Sequence, residues 1–101
     1  MRTMIRVKMQ VEAGNRAFQD GSLAKTLMEA IDRFKPEAAY FYPDQGVRTA
    51  LMVLDMKDSS EMPAIAEPFF SKLNATVEIV PVMNAEDLKK GLAKIPRRPG
   101  K

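Results

Sequence analysis

Arg6, Lys8 and Gln10 occupy alternate positions of an early apolar segment, and Tyr40 and Tyr42 repeat the same spacing further along. On a β-strand, that spacing puts side chains on one face. Two cations side by side can hold a carboxylate, a phosphate or an enolate. Tyrosines beside them add a ring to stack on and a hydroxyl that gives or takes a proton. Arg48 joins the group if its register points it the same way, and Glu78 supplies a matching negative charge. The candidate ligand-binding residues are therefore Arg6, Lys8, Tyr40, Tyr42 and Arg48. Tyr40 or Tyr42 is the candidate acid/base group of any reaction, and the cations are its anion stabilisers. The plainer arrangement of the same residues is an interfacial salt-bridge network with ordinary tyrosine packing.

Missing residue types narrow the chemistry further. With no histidine and no cysteine, a thiol nucleophile, a Ser-His-Asp triad, a Cys/His zinc site and His- or Cys-ligated haem are excluded. No cofactor or metal is expected. Asp55 and Asp58 come nearest to a carboxylate-only cation site, but a turn and a helix cap need them where they stand. Gly14-Asn15-Arg16 could form a backbone nest for an anion, and reads more simply as a helix start with a solvent-facing arginine. The eight methionines are core filler.

Sixteen Lys and Arg against 13 Asp and Glu give a formal charge of +3. Four of the sixteen, Lys94, Arg97, Arg98 and Lys101, lie in the last eight residues, so twelve face the 13 acids elsewhere. The body is nearly neutral, and the expected architecture is one domain over 1–93 followed by a basic, irregular tail at 94–101. The third strand lacks the aromatic residues on which a sheet of this kind stacks bases, so no nucleic-acid partner is expected. No apolar run reaches the roughly 18 to 20 residues of a membrane helix, and the first residues form no signal peptide. A cytoplasmic chain with no membrane partner is the expectation.

Periodicity places these residues on elements. A strand over about residues 3–11 sends Ile5, Val7, Met9 and Val11 to one face. A helical segment follows in two pieces, broken at Gly21 with Ser22 as cap. Its second piece carries the stripe Leu23, Leu27, Ala30, Ile31 and Phe34 and stops at Pro36. A strand over residues 37–42, a turn at Pro43-Asp44-Gln45-Gly46 and a strand over residues 47–56 make a hairpin. Asp58 to Glu61 offers a capping box to another helix, which Pro68 should kink or break at Glu67. A fourth strand over residues 76–83 and a short helix capped by Asn84 and Asp87 complete the order. Strand, helix, strand, strand, helix, strand folds as an α+β, ferredoxin-like βαββαβ domain: a four-stranded antiparallel sheet, helices on one face, first and third strands central.

Residues 47–56 are apolar on both alternating faces, and one helical layer covers only one of them. The other face must meet a second copy or bound material. A homodimer paired through its sheet faces is the expected partner arrangement. Val11-Glu-Ala-Gly-Asn-Arg-Ala17, Pro36-Glu-Ala-Ala-Tyr-Phe41, Arg48-Thr-Ala-Leu51 and Pro81-Val-Met-Asn-Ala-Glu-Asp87 together span nearly the whole chain. On these segments it resembles small, functionally uncharacterised bacterial members of the dimeric α+β barrel group of ferredoxin-like proteins. That resemblance implies two sheets packed face to face around a cavity. Relatives in the group include cofactor-free monooxygenases, lactone isomerases and haem-degrading enzymes, whose activities use His, Trp or other placed groups, and this chain has neither His nor Trp. Two functions fit. In the first, the dimer binds, or binds and transforms, a small polar or anionic organic molecule between the sheets without metal or haem. In the second, the paired faces make a non-catalytic oligomerisation or regulatory module, its seam filled by Met52 and Leu54.

Overall fold

Strands β1 (Arg2–Met9) and β3 (Val47–Asp55) form the centre of a four-stranded antiparallel sheet. Strands β2 (Ala38–Asp44) and β4 (Ala75–Pro81) lie at its edges, in the order β2-β3-β1-β4. This computed structural model describes residues 1–97. Helices α1 (Val11–Asp20), α2 (Ser22–Phe34) and α3 (Met62–Leu73) cover one face, and α4 (Ala85–Ala93) follows β4. The architecture is the expected α+β, ferredoxin-like arrangement with the expected central strands.

Alternation decides which side chains enter the core. From β1, Ile5, Val7 and Met9 are buried. From β3, Ala50, Met52 and Leu54 join them, with Ile65, Phe69 and Leu73 of α3 packed against them. Phe69 and Ile5 are among the largest side chains with no exposed surface. Each such residue contributes about 1.5–3 kcal/mol through removal from water. Met52 and Leu54 thus serve the helix-covered core, which corrects the expectation that they fill a seam between sheets.

Four local expectations are also corrected. Val11 was expected in the first strand, yet Gly14 N donates to Gln10 O at 2.8 Å, closing a helical turn that leaves Val11 exposed as the first residue of α1. Ser22 was expected to cap the second helical piece. Instead Gly21, at φ +84°, ends α1 and begins α2 in the left-handed region that favours glycine, and Ser22 N donates to Asp20. The hairpin turn is tighter than four residues: Gln45 and Gly46 both have positive φ, as a two-residue turn between twisted strands requires. Pro43 sits in the edge strand β2, where a missing N–H is tolerated.

Pro68 neither breaks nor ends its helix, since α3 runs from Met62 to Leu73 through it. Proline removes the N–H that would have bonded the Ala64 carbonyl, and Ala64 is exposed, so water can take its place. The capping box ahead of α3 forms as expected, with Glu61 Oε2 accepting from the N–H groups of Lys57 and Asp58. Because an interior proline costs a helix about 3 kcal/mol and returns about 0.4–1 kcal/mol by restricting the unfolded chain, Pro68→Ala should stabilise the fold by about 2–2.6 kcal/mol. Urea denaturation followed by circular dichroism measures this, and equal or lower stability would show that the ring itself packs favourably.

Candidate functional site

The strand register arranges the uncovered sheet face in rows. Across the sheet, Ala38, Val53, Met4 and Val80 make one apolar row. Tyr40, Leu51, Arg6 and Glu78 make the next, and Tyr42, Thr49, Lys8 and Thr76 the third. Strand alternation puts all twelve on the side away from Ile5, Val7 and Met52. Arg6, Lys8, Tyr40 and Tyr42 are therefore brought together as expected, in two adjacent rows.

Arg48 is the exception. It pairs with Pro43, and its register sends it to the helix-covered side. There Nη1 donates to Asn15 Oδ1 at 2.8 Å, and the guanidinium lies 5.8 Å from the centre of the Phe18 ring. Its reassignment to the opposite face follows from the period of two: β3 presents Thr49 and Leu51 to the open side, so Arg48 and Ala50 must point the other way.

Both cations of these rows, Arg6 and Lys8, have carboxylates nearby. Arg6 Nη1 lies 3.5 Å from Glu78 Oε1, its direct cross-strand partner. Lys8 Nζ reaches across Thr49 to Asp44 Oδ2 at 3.3 Å. Thr49 is buried between its neighbours Lys8 and Tyr42, and its hydroxyl donates to Val47 O. The pairing of Arg6 is incomplete. Its Nε is buried and has no hydrogen-bond partner among the described residues. A buried donor left without an acceptor costs about 1–3 kcal/mol. Tyr40 is 63% exposed and Tyr42 37%, so both rings are open to a further partner.

The chain contains the features of a family as well as of a fold. Residues 1–96 match the family described as Domain of unknown function (DUF3303). The chain belongs to this family. No curated protein matches the sequence. In this DUF3303 domain the carboxylates singled out for a cation have other tasks: Asp55 accepts from the amino group of Met1 at 2.6 Å, and Asp58 accepts from the Ser60 hydroxyl at 2.7 Å. Both carboxyls are held below the ordinary range, Asp55 chiefly by its bond from the amino group and Asp58 by that from Ser60.

Two features escaped the sequence. The first is α4, read only as a short capped helix. Its cap forms as expected, Asn84 Oδ1 accepting from Asp87 N at 2.8 Å and Asp87 Oδ2 from Asn84 N at 3.1 Å. Beyond that cap α4 buries no residue, and Leu88, Leu92 and Ile95 are 46%, 58% and 62% exposed. Leu88 and Leu92, four apart, share one side of α4, and Ile95 follows just past the helix end. The radius of gyration is 17.0 Å, where a compact chain of this length has about 13 Å, and the long axis is 63 Å. Arg2 ties the first turn of α4 to the sheet, bridging Asp87 and Glu37. Of the basic tail, Lys94 and Arg97 are exposed, and Arg98 and Lys101 lie outside the described residues. The second feature is an apolar pocket of about 320 Å³ between α2 and the β2–β3 hairpin, taken up below.

The bond from Asn84 N holds the Asp87 carboxyl below its ordinary value, with the charge of Arg2 assisting. A carboxyl whose pKa is lowered by folding stabilises the fold fully above its unfolded value and loses that contribution as pH falls through the folded one. The start of α4 should thus be firm at neutral pH and loosen only below the ordinary aspartate range. The protection factor of the Leu88 amide, its intrinsic exchange rate divided by the observed rate at the same pH, should fall in acid, and Asp87→Asn should remove most of that pH response. An unchanged protection factor in the wild-type chain would contradict the assignment.

Proposed function

We propose that two copies of this chain pair sheet to sheet and that the chamber between them takes a small organic molecule bearing a carboxylate or enolate, without metal or haem. The carrying observation is Arg6: a half-buried guanidinium whose Nε has no acceptor among the described residues and whose ion contact there is a loose 3.5 Å approach to Glu78. An anionic oxygen supplied from the chamber would satisfy that donor and form the stronger, charge-assisted type of hydrogen bond. Lys8 adds a second cation. Tyr40 and Tyr42 add rings for stacking and hydroxyls for proton exchange.

The apolar row Ala38, Val53, Met4 and Val80, with Leu51 beside it, supplies the seam on which the copies meet. Leu88, Leu92 and Ile95 would be covered by the same pairing, each contributing about 1.5–3 kcal/mol if fully buried. An interface of this kind has an apolar centre and polar groups set apart from it, as the rows provide. The balance of Arg6 and Lys8 against Glu78 and Asp44 favours a ligand with a single negative group over a highly charged one, because a lone carboxylate can take over from Glu78 without leaving several carboxylates facing each other.

Benzoate, a ring with one carboxylate, is a suitable probe. In a titration followed by amide and methyl resonances it should perturb Arg6, Lys8, Tyr40 and Tyr42, and Arg6→Gln should weaken it about tenfold or more, as expected for losing a charged hydrogen bond. Val53→Glu, at a partly exposed position in the apolar row that leaves the core intact, should separate the copies and abolish binding, since the chamber needs two walls. Equal affinity in wild type and Arg6→Gln would remove Arg6 from the site, and unweakened binding by separated Val53→Glu copies would remove the chamber.

A further inference from the structure

The helix layer leaves part of its own side of the sheet uncovered. Helix α2 lies over β2 and β3 so that Leu23 and Leu27 are only partly buried, and Phe41, on the inward side of β2, is 49% exposed. Between them is the pocket of about 320 Å³, walled by Met9, Leu23, Leu27, Met28 and Phe41. Small-molecule sites run from about 300 to 1,000 Å³ and combine apolar walls with a few fixed polar groups. This pocket sits at the small end of that range. Its one charged wall residue among the described residues is Arg48.

Arg48, partly buried, is held in place. Asn15 accepts from Nη1, and Phe18 sits near the guanidinium, so two residues of α1 fix its direction. Gly14 makes the approach possible: a Cβ there would lie 3.2 Å from Nη1 and 3.4 Å from Cδ of Arg48. Glycine inside a helix costs about 0.5–1 kcal/mol relative to alanine, so its presence in α1 marks a requirement for room. Arg48 forms no salt bridge among the described residues, and its donors beyond the one used by Asn15 have no acceptor there. A held cation without a counter-charge, at the edge of an apolar pocket, is complementary to a molecule with an apolar body and one anionic end.

We infer that this pocket is a second binding site, for a small aliphatic carboxylate whose chain lies against Met9, Leu27, Met28 and Phe41 and whose head is held by Arg48. The pocket sits between α2 and the hairpin, with Tyr42 and Thr49 of the third row also at its wall, but its charged group is Arg48 and not Arg6, so it does not depend on the proposed chamber. The Gly14-Asn15 segment, which in sequence reads most simply as a helix start, acquires a role: it positions the arginine that reads the ligand's charge.

Octanoate is the probe, with octanol as the control of equal chain length. In a titration of the full chain followed by methyl and amide resonances, octanoate should perturb Met9, Leu27, Met28 and the Arg48 side chain and leave Arg6 unperturbed. It should bind about tenfold or more tightly than octanol, the difference a charged hydrogen bond supplies. Arg48→Gln should erase that preference while circular dichroism is unchanged. Met28→Glu, at a site 57% exposed and so independent of core packing, should weaken octanoate by a similar factor. Gly14→Ala should weaken octanoate without lowering the melting temperature, which separates positioning of Arg48 from loss of the fold. Arg6→Gln should leave octanoate affinity unchanged, so this site and the chamber fail or stand separately. Equal binding of octanoate and octanol, no binding of octanoate, or full affinity in Arg48→Gln would each overturn the inference.

Discussion

One layer of helices can bury only one face of a four-stranded sheet, and the rest of this molecule follows from that constraint. Alternation along β1 and β3 commits Ile5, Val7, Met52 and Leu54 to the helices. By the same alternation it commits Met4, Arg6, Lys8, Leu51 and Val53 to the other side. A slip of one residue in register would exchange the two sets completely. The open face is therefore specified as tightly as the core is, although α1, α2 and α3 all lie on the other side.

What that face offers is a gradient from apolar to charged along the strands. At one end lies a row of four apolar side chains. Two rows further on are Lys8, Thr49 and Tyr42. The apolar end favours contact with another surface, and the polar end resists complete dehydration because buried charges need partners. Arg6 stands between them with a loose carboxylate contact and a buried donor lacking an acceptor among the described residues. Helix α4 carries the further exposed apolar residues Leu88 and Leu92, and Arg2 ties its first turn to the sheet.

The order of strands and helices was legible in the sequence because period-two and period-3.6 patterns are strong in β1, β3 and α2, and so were the face shared by Arg6 and Lys8 and the capping boxes at Asp58 and Asn84. Other features were not. Arg48 needed the register of β3, which an apolar run on both faces does not reveal: Val47 to Leu54 reads equally well in either phase. Pro68 misled because its cost depends on whether the orphaned carbonyl of Ala64 reaches water, a matter of burial and not of local sequence. The pocket beside α2 arises from the width of the sheet relative to its helices, and its anchor joins residues 33 positions apart, Asn15 and Arg48. Only the helix-interior Gly14 carried a local hint of it.

The pairing of open faces is the claim on which the chamber rests, and the mass of the species in solution addresses it most directly. Sedimentation velocity on the full chain at micromolar concentration should give a single boundary at twice the 11.3 kDa of one copy. A boundary at 11.3 kDa that persists as concentration rises would contradict the account.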